Sequence, residues 1–194
     1  MSNLFTTLSA AAFRAGINPR TRQSRQWFAG KVDELKNINR RQLMREEPIE
    51  LRNKQLIGSM NMFFYDPKTK DKLPYFDRFP LAIIVGPAEK GFYGLNLHYL
   101  PQTLRAKFLD ALLDVTNNKS YDDTTKFQVT YNILQRSASL RFFKPCFKHY
   151  LSTQVRSRFA RVPATEWEIA TFLPTADFAK ASERTVHRDS RKII

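Results

Sequence analysis

Apolar positions are sparse over the first part of this chain and dense, with changing period, over the rest. Leu4, Leu8, Ala11 and Ala12 share one face of a short helix that Gly16 would end. A second helix from about Arg20 has only Trp27, Val32 and Leu35 on its apolar side. Stripes this thin do not hold a helix in water, so both segments are expected to lie on a partner or to wrap the remainder of the chain. From Ile57 the texture changes. "IGSMNMFFY" reads as a strand, and "LAIIV", closed by Gly86-Pro87, as a buried strand. "GFYGLNLHYL" sets Tyr93, Leu95, Leu97 and Tyr99 against Phe92, Gly94, Asn96 and His98 at a period of two. Short connections between the three predict antiparallel pairing.

Beyond Pro101, Leu104, Phe108, Ala111, Leu112 and Val115 recur at helical spacing until "NNKSYDD" stops them. Phe127, Tyr131, Leu134 and Ala138 predict a second helix over about 125–139, and "KPCFKHYLSTQ" is expected to begin a third. "VRSRFARVP" and "EWEIATFLP" read as two strands around the turn Pro163-Ala164-Thr165. The tail "TADFAKASERTVHRDSRKII" is expected to be helical first and frayed last. The fold class is therefore α+β: an antiparallel sheet of about five strands, with helices inserted between the third and fourth. A basic helical or extended N-terminal arm would cover residues 1–56 and a single domain residues 57–194.

Composition narrows the class. With 194 residues, 42% hydrophobic and 13% aromatic, the chain can bury one ordinary core, which excludes disorder throughout. No apolar run approaches the ~18 residues of a membrane span. The N-terminus lacks the long apolar stretch of a secretory signal, although its Arg-rich, acid-poor start has some transit-peptide character. Cys146 stands alone, which excludes a disulfide framework or a cysteine-based zinc site and fits a reducing cytosol.

Charge changes the picture most. The net value is +14, and its placement is uneven. Residues 1–56 carry eleven basic and five acidic side chains, and residues 124–165 carry eight basic and none acidic. The segments 57–123 and 166–194 are each balanced. Concentration of the whole excess in two stretches points to a polyanion, or an acidic protein surface, as partner.

Candidate catalytic chemistry is thin. Asp66, Asp71 and Asp77, with Lys68 or Lys70, are the residue types of a metal-dependent nuclease. Three prolines hold these carboxylates on different sides of a long loop, and no Glu-x-Lys follows on a strand. Asp66-Pro67 opens a turn, and Leu73-Pro74 and Phe79-Pro80 impose extended geometry, so a rigid turn with Tyr75, Phe76 and Phe79 as a plug over the sheet edge is expected. His98, His149 and His187 have no ligand spacing. Cys146 and His149 would share a helix face, but Pro145 and Phe147 suggest a partly buried thiol with no orienting acid nearby. There is no Gly-rich phosphate loop and no serine elbow. No catalytic residue, metal or cofactor is expected.

The basic stretch is the functional lead. Arg136, Arg141, Lys144 and Lys148 fall in its helical part, Arg156 and Arg158 alternate on one strand face, and Arg161 lies just beyond. Phe142, Phe143, Phe147, Tyr150 and Phe159 are interleaved. Arginine forks without competing carboxylates suit phosphates, and exposed aromatics stack bases at an end or on a single strand. The plain alternative is that the aromatics are core and the arginines a solvated face or a dock for acidic subunits. Arg20, Arg22, Arg25, Arg40 and Arg41 on the arm would assist. A single groove requires the two basic segments to meet in space.

Several blocks taken together, "MFFYDPKTKDKLPYFDRFPL", "FYGLNLHYLP" with "LRAKFLDALLD", "YLSTQVRSRF" and "EWEIATFLP", resemble the DNA end-protector proteins of contractile-tailed bacteriophages, the cyanophage-type myoviruses. The resemblance covers about residues 57–190 and leaves the first 56 outside. It implies a non-enzymatic virion protein, assembled in the bacterial host cytoplasm, that binds the ends of packaged linear double-stranded DNA and shields them from host exonuclease. It implies no cofactor, no small-molecule substrate and no membrane. The same layout suits an architectural subunit of the virion neck, tail or baseplate that docks on acidic neighbouring subunits through its basic arm.

Overall fold

A computed structural model describes residues 4–19, 21–35, 38–45, 50–54, 57–117, 132–133, 136 and 143–193. Helix α1 (Leu4–Arg14) buries Phe5, Leu8 and Ala12, and the chain turns away at Gly16, whose φ of +66° suits a residue without Cβ. Helix α2 (Arg22–Asp33) starts at a capping box between Thr21 and Ser24 and buries Phe28 and Val32. Helix α3 (Arg40–Leu43) is one turn capped by the Asn39 side chain. Phe5, Leu8, Phe28, Val32 and Leu43 belong to the same buried cluster as Met60, Leu95 and Trp167. The thin stripes are thus stabilised by wrapping the sheet domain.

Six strands make one antiparallel sheet: β1 (Glu50–Arg52), β2 (Met60–Met62), β4 (Leu81–Ala88), β5 (Gly91–Asn96), β6 (Phe147–Leu151) and β7 (Phe159–Val162). Their order is β1-β7-β2-β4-β5-β6. A two-stranded ribbon pairs β3 (Phe76–Asp77) with β8 (Phe178–Ala179). Helix α4 (Gln102–Asn117) is inserted between β5 and β6, and α5 (Trp167–Phe172) and α6 (Glu183–Ile193) follow β7. The fold is α+β, as the sequence predicts, with six strands and a ribbon instead of about five.

The two faces of the sheet are filled differently. Met60, Met62, Leu81, Ile83, Val85 and Leu95 meet the helices in the main core. On the other face Phe63, Tyr65, Ala82, Ile84, Phe92, Tyr150 and Phe159 form a second buried cluster. Phe63 lies 5.2 Å from Tyr150, ring centroid to centroid. Phe63 directly follows β2, and β2 is separated from β6 by β4 and β5, roughly 14 Å in a flat sheet, so the sheet is sharply curled around these rings. Gly91 is required by this packing: a Cβ there would sit 1.8 Å from the Tyr150 carbonyl oxygen.

Four expectations need correction. "KPCFKHYLSTQ" contains strand β6, not a helix; Phe143, Phe147 and Tyr150 mimic helical spacing, but the ladder to β5 decides the backbone. "EWEIATFLP" is a 3₁₀ turn (Ala164–Glu166) leading into α5, not a strand; all six residues of α5 are buried, which erases any period. "VRSRFARVP" is strand only over Phe159–Val162. The tail is extended first at β8 and helical last, the reverse of expectation. The helix over 125–139 lies outside the described residues except at 132, 133 and 136.

Candidate nucleic-acid interface

The loop after β2 is where the surface chemistry is set. Asp66 pairs with Lys70 at 3.1 Å, while the ammonium of Lys180 donates to the carbonyls of Lys70, Asp71 and Leu73 at 2.7, 3.2 and 3.2 Å. Lys180 adopts a φ of +68° immediately after β8 to reach them. Asp77 turns inward. Its oxygens accept from His98 Nδ1 at 2.7 Å, Asn96 Nδ2 at 3.0 Å, the Phe79 amide at 3.0 Å and the Asp177 amide at 3.2 Å. His98 Nε2 in turn meets the Thr175 hydroxyl at 3.0 Å. This Asp–His–Thr chain is completely buried and anchors the β3–β8 ribbon to the sheet. Asp66, Asp71 and Asp77 therefore do not converge; the stretch is a clipped, rigid turn.

That turn forms one wall of a cleft of about 800 Å³. Five guanidinium groups line it, Arg41 and Arg45 from the end of α3, Arg78 after β3, and Arg156 and Arg158 before β7, against the two carboxylates of Asp66 and Asp177. Its apolar lining is Met44, Leu51, Phe64 and Tyr65. Arg78 is held by Asp177 at 2.6 Å, Arg158 by the Leu51 carbonyl at 2.8 Å, and Arg156 by Gln154 at 3.2 Å. The ladder accounts for one side of this: Leu51 pairs with Ala160 between β1 and β7, which brings the Leu51 carbonyl within reach of Arg158, and Arg41 and Arg45 enter the same cleft from α3 and the residues just after it. The two basic segments meet in space.

The other sequence-predicted residues are dispersed. Arg40 donates to the Thr175 and Ala176 carbonyls at 2.9 and 2.7 Å and tethers α3, and Arg25 pairs with Asp110 of α4. Arg161 stands mid-sheet, beside Asn61 and Glu50 in register. Lys148 lays its ammonium 3.8 Å over the Tyr99 ring; burial pulls its pKa down to about 8, although Cys146 and Asp77 favour the charge. Arg22, Arg136 and Lys144 are exposed elsewhere. Arg20, Arg141 and Phe142 lie outside the described residues. The interleaved aromatics are core: Tyr150 and Phe159 fill the curled sheet, Phe143 packs on Phe108, and Phe147 stacks on Tyr93. Burial pushes the Cys146 thiol up to about 12, which removes the thiolate a nucleophile needs.

Arg45 and Arg78 escaped the sequence reading. Arg78 belongs to a charge-balanced segment, and no local pattern marks either. A second cleft of about 920 Å³ carries Arg184, Arg188 and Arg191 of α6 with Glu183 and His187. Counting charge by segment hid it too, because the acids of 166–194 offset its arginines.

The model of the family described as "Phage T4 terminal DNA protecting protein" matches residues 5–192. The chain belongs to this family. The match takes in the N-terminal helices, which the sequence resemblance left out, in keeping with their place in the common core. No curated protein and no solved structure matches the chain.

Proposed function

We propose that this protein is a non-enzymatic virion component that binds the ends of packaged linear DNA through the arginine cleft and shields them from exonuclease. The observation that carries the reading is the convergence of Arg41 and Arg45 with Arg156 and Arg158 in one cleft. Arginines that share one concavity bring fork-shaped donors to neighbouring phosphates, and the bonds that Arg78, Arg158 and Arg156 make to Asp177, Leu51 and Gln154 fix those donors beforehand. Membership of a family named for terminal DNA protection supports the same role.

The test compares binding of linear duplex and closed circular duplex at low and moderate salt, with an Arg156→Ala/Arg158→Ala variant alongside. The expected result is preference for linear DNA, steep salt dependence and loss of both in the variant. Equal binding to the two forms would reduce the interaction to general attraction of a strongly basic protein. In that case the neck, tail or baseplate role, with the cleft docked on an acidic subunit, becomes the better account.

A further inference from the structure

The following rests on the DNA-end reading of the cleft. We infer that the cleft takes the unpaired terminal nucleotides of one strand, not the side of a duplex, with a base against Phe64 and the flanking phosphates on Arg41, Arg45 and Arg156.

Size argues first. A volume of about 800 Å³ lies in the range of pockets that enclose small molecules, with room for about two nucleotides. A duplex is read by elements that protrude into its grooves, whereas these arginines line a hollow. Composition argues second. Phosphates need charge only, yet the cleft also has an apolar lining that includes the half-buried Phe64 and Leu51. The Phe64 ring is backed by Phe79 at 4.8 Å, so it is held in place as a stacking platform. Donor supply argues third. The guanidinium groups of Arg41 and Arg45 make no hydrogen bond or ion pair among the described residues, and both side chains are exposed. An acidic peptide would use the same cations but has no need of a flat aromatic surface.

The experiment uses the full chain and three fluorescent DNA probes of one sequence: a closed dumbbell without ends, a blunt hairpin, and the hairpin with a short single-stranded extension. The extended probe is expected to bind about tenfold more tightly than the blunt one. Phe64→Ala should bring the ratio of extended-probe to blunt-probe affinity, read within the variant itself, down to about one, and Phe64→Trp should keep the parent's ratio. Equal affinity for blunt and extended probes, or an increment that survives Phe64→Ala, would overturn the inference while leaving end binding intact. Equal affinity for dumbbell and hairpins would overturn the end-binding reading itself, and this inference with it. Should Phe64→Ala fail to fold, Arg41→Ala/Arg45→Ala decides: an undiminished increment there counts against the proposal.

Discussion

The carboxylate of Asp77 and the imidazole of His98 lie 2.7 Å apart with neither side chain exposed to solvent. Burial alone would raise the Asp77 pKa; the attraction and hydrogen bond of His98, with those of Asn96 and the Phe79 amide, outweigh it and hold the group below its ordinary value. A depressed carboxylate contributes stability that is complete above the ordinary carboxylate range and is lost as pH falls below about 4. Asp77→Asn, which strands His98, is expected to cost about 3 kcal/mol. Thermal melts at pH 7 should show a fall of roughly 10 °C, and the gap to the parent should narrow in acid.

The cleft arginines should act together in a salt titration. Arg156→Ala/Arg158→Ala and Arg41→Ala/Arg45→Ala are each expected to reduce the slope of log affinity against log salt by about 2, because each variant leaves two phosphates without a guanidinium partner. Arg40→Ala is the contrast. It gives up two bonds to the Thr175 and Ala176 carbonyls, so the melting temperature should drop while the salt slope stays as in the parent.

Lys148 is the basic residue whose removal should help the fold. Its pKa is lowered to about 8, so at neutral pH the folded protein carries a desolvated charge. Between about pH 8 and the ordinary lysine value near 10.4, the unfolded chain binds this proton more than the folded one, and the cost shrinks as pH rises. Lys148→Met is expected to melt higher than the parent at pH 7, to lose that advantage above about pH 10, and to bind DNA as before.

Lys180 clips the 66–74 loop from a distant part of the chain. Lys180→Ala should free the Lys70, Asp71 and Leu73 carbonyls and let the loop open. Brief trypsin digestion is expected to cut the variant at Lys68, Lys70 or Lys72 well before the parent; equal resistance would show that the prolines alone hold the turn.

Local signals read correctly wherever one physical demand ruled. The strand at Phe92–Asn96, the apolar spacing through Leu104, Phe108 and Leu112, and the helix-ending Gly16 appear as expected, although the strand is buried on both faces and gives way to a 3₁₀ turn at Leu97–Tyr99, so its two-residue alternation marks no solvent face. Signals failed where long-range contact overrode them. Arg105 has the address of a helix surface residue, yet it is fully buried, donating to the Leu100 carbonyl at 2.6 Å and to Glu183 at 3.0 Å, and so joins α4 to α6. Phe147–Leu151 carries a helical spacing but lies in the sheet, because hydrogen bonds to β5 are worth more there than an isolated turn.

Charge segregation, the α+β class, the lack of any motif for catalysis and the family likeness are properties written along the chain, and the sequence by itself determined them. Which arginines stand together is not such a property. Arg78 sits in a neutral segment and Arg40 in a basic one, yet the first lines the cleft and the second is tied to backbone carbonyls. Only the tertiary structure decided that. The β1–β7 ladder sets Leu51 against Ala160, so residues more than a hundred positions apart share one cleft wall, and a side chain's neighbours are fixed by such pairing and not by its place in the sequence.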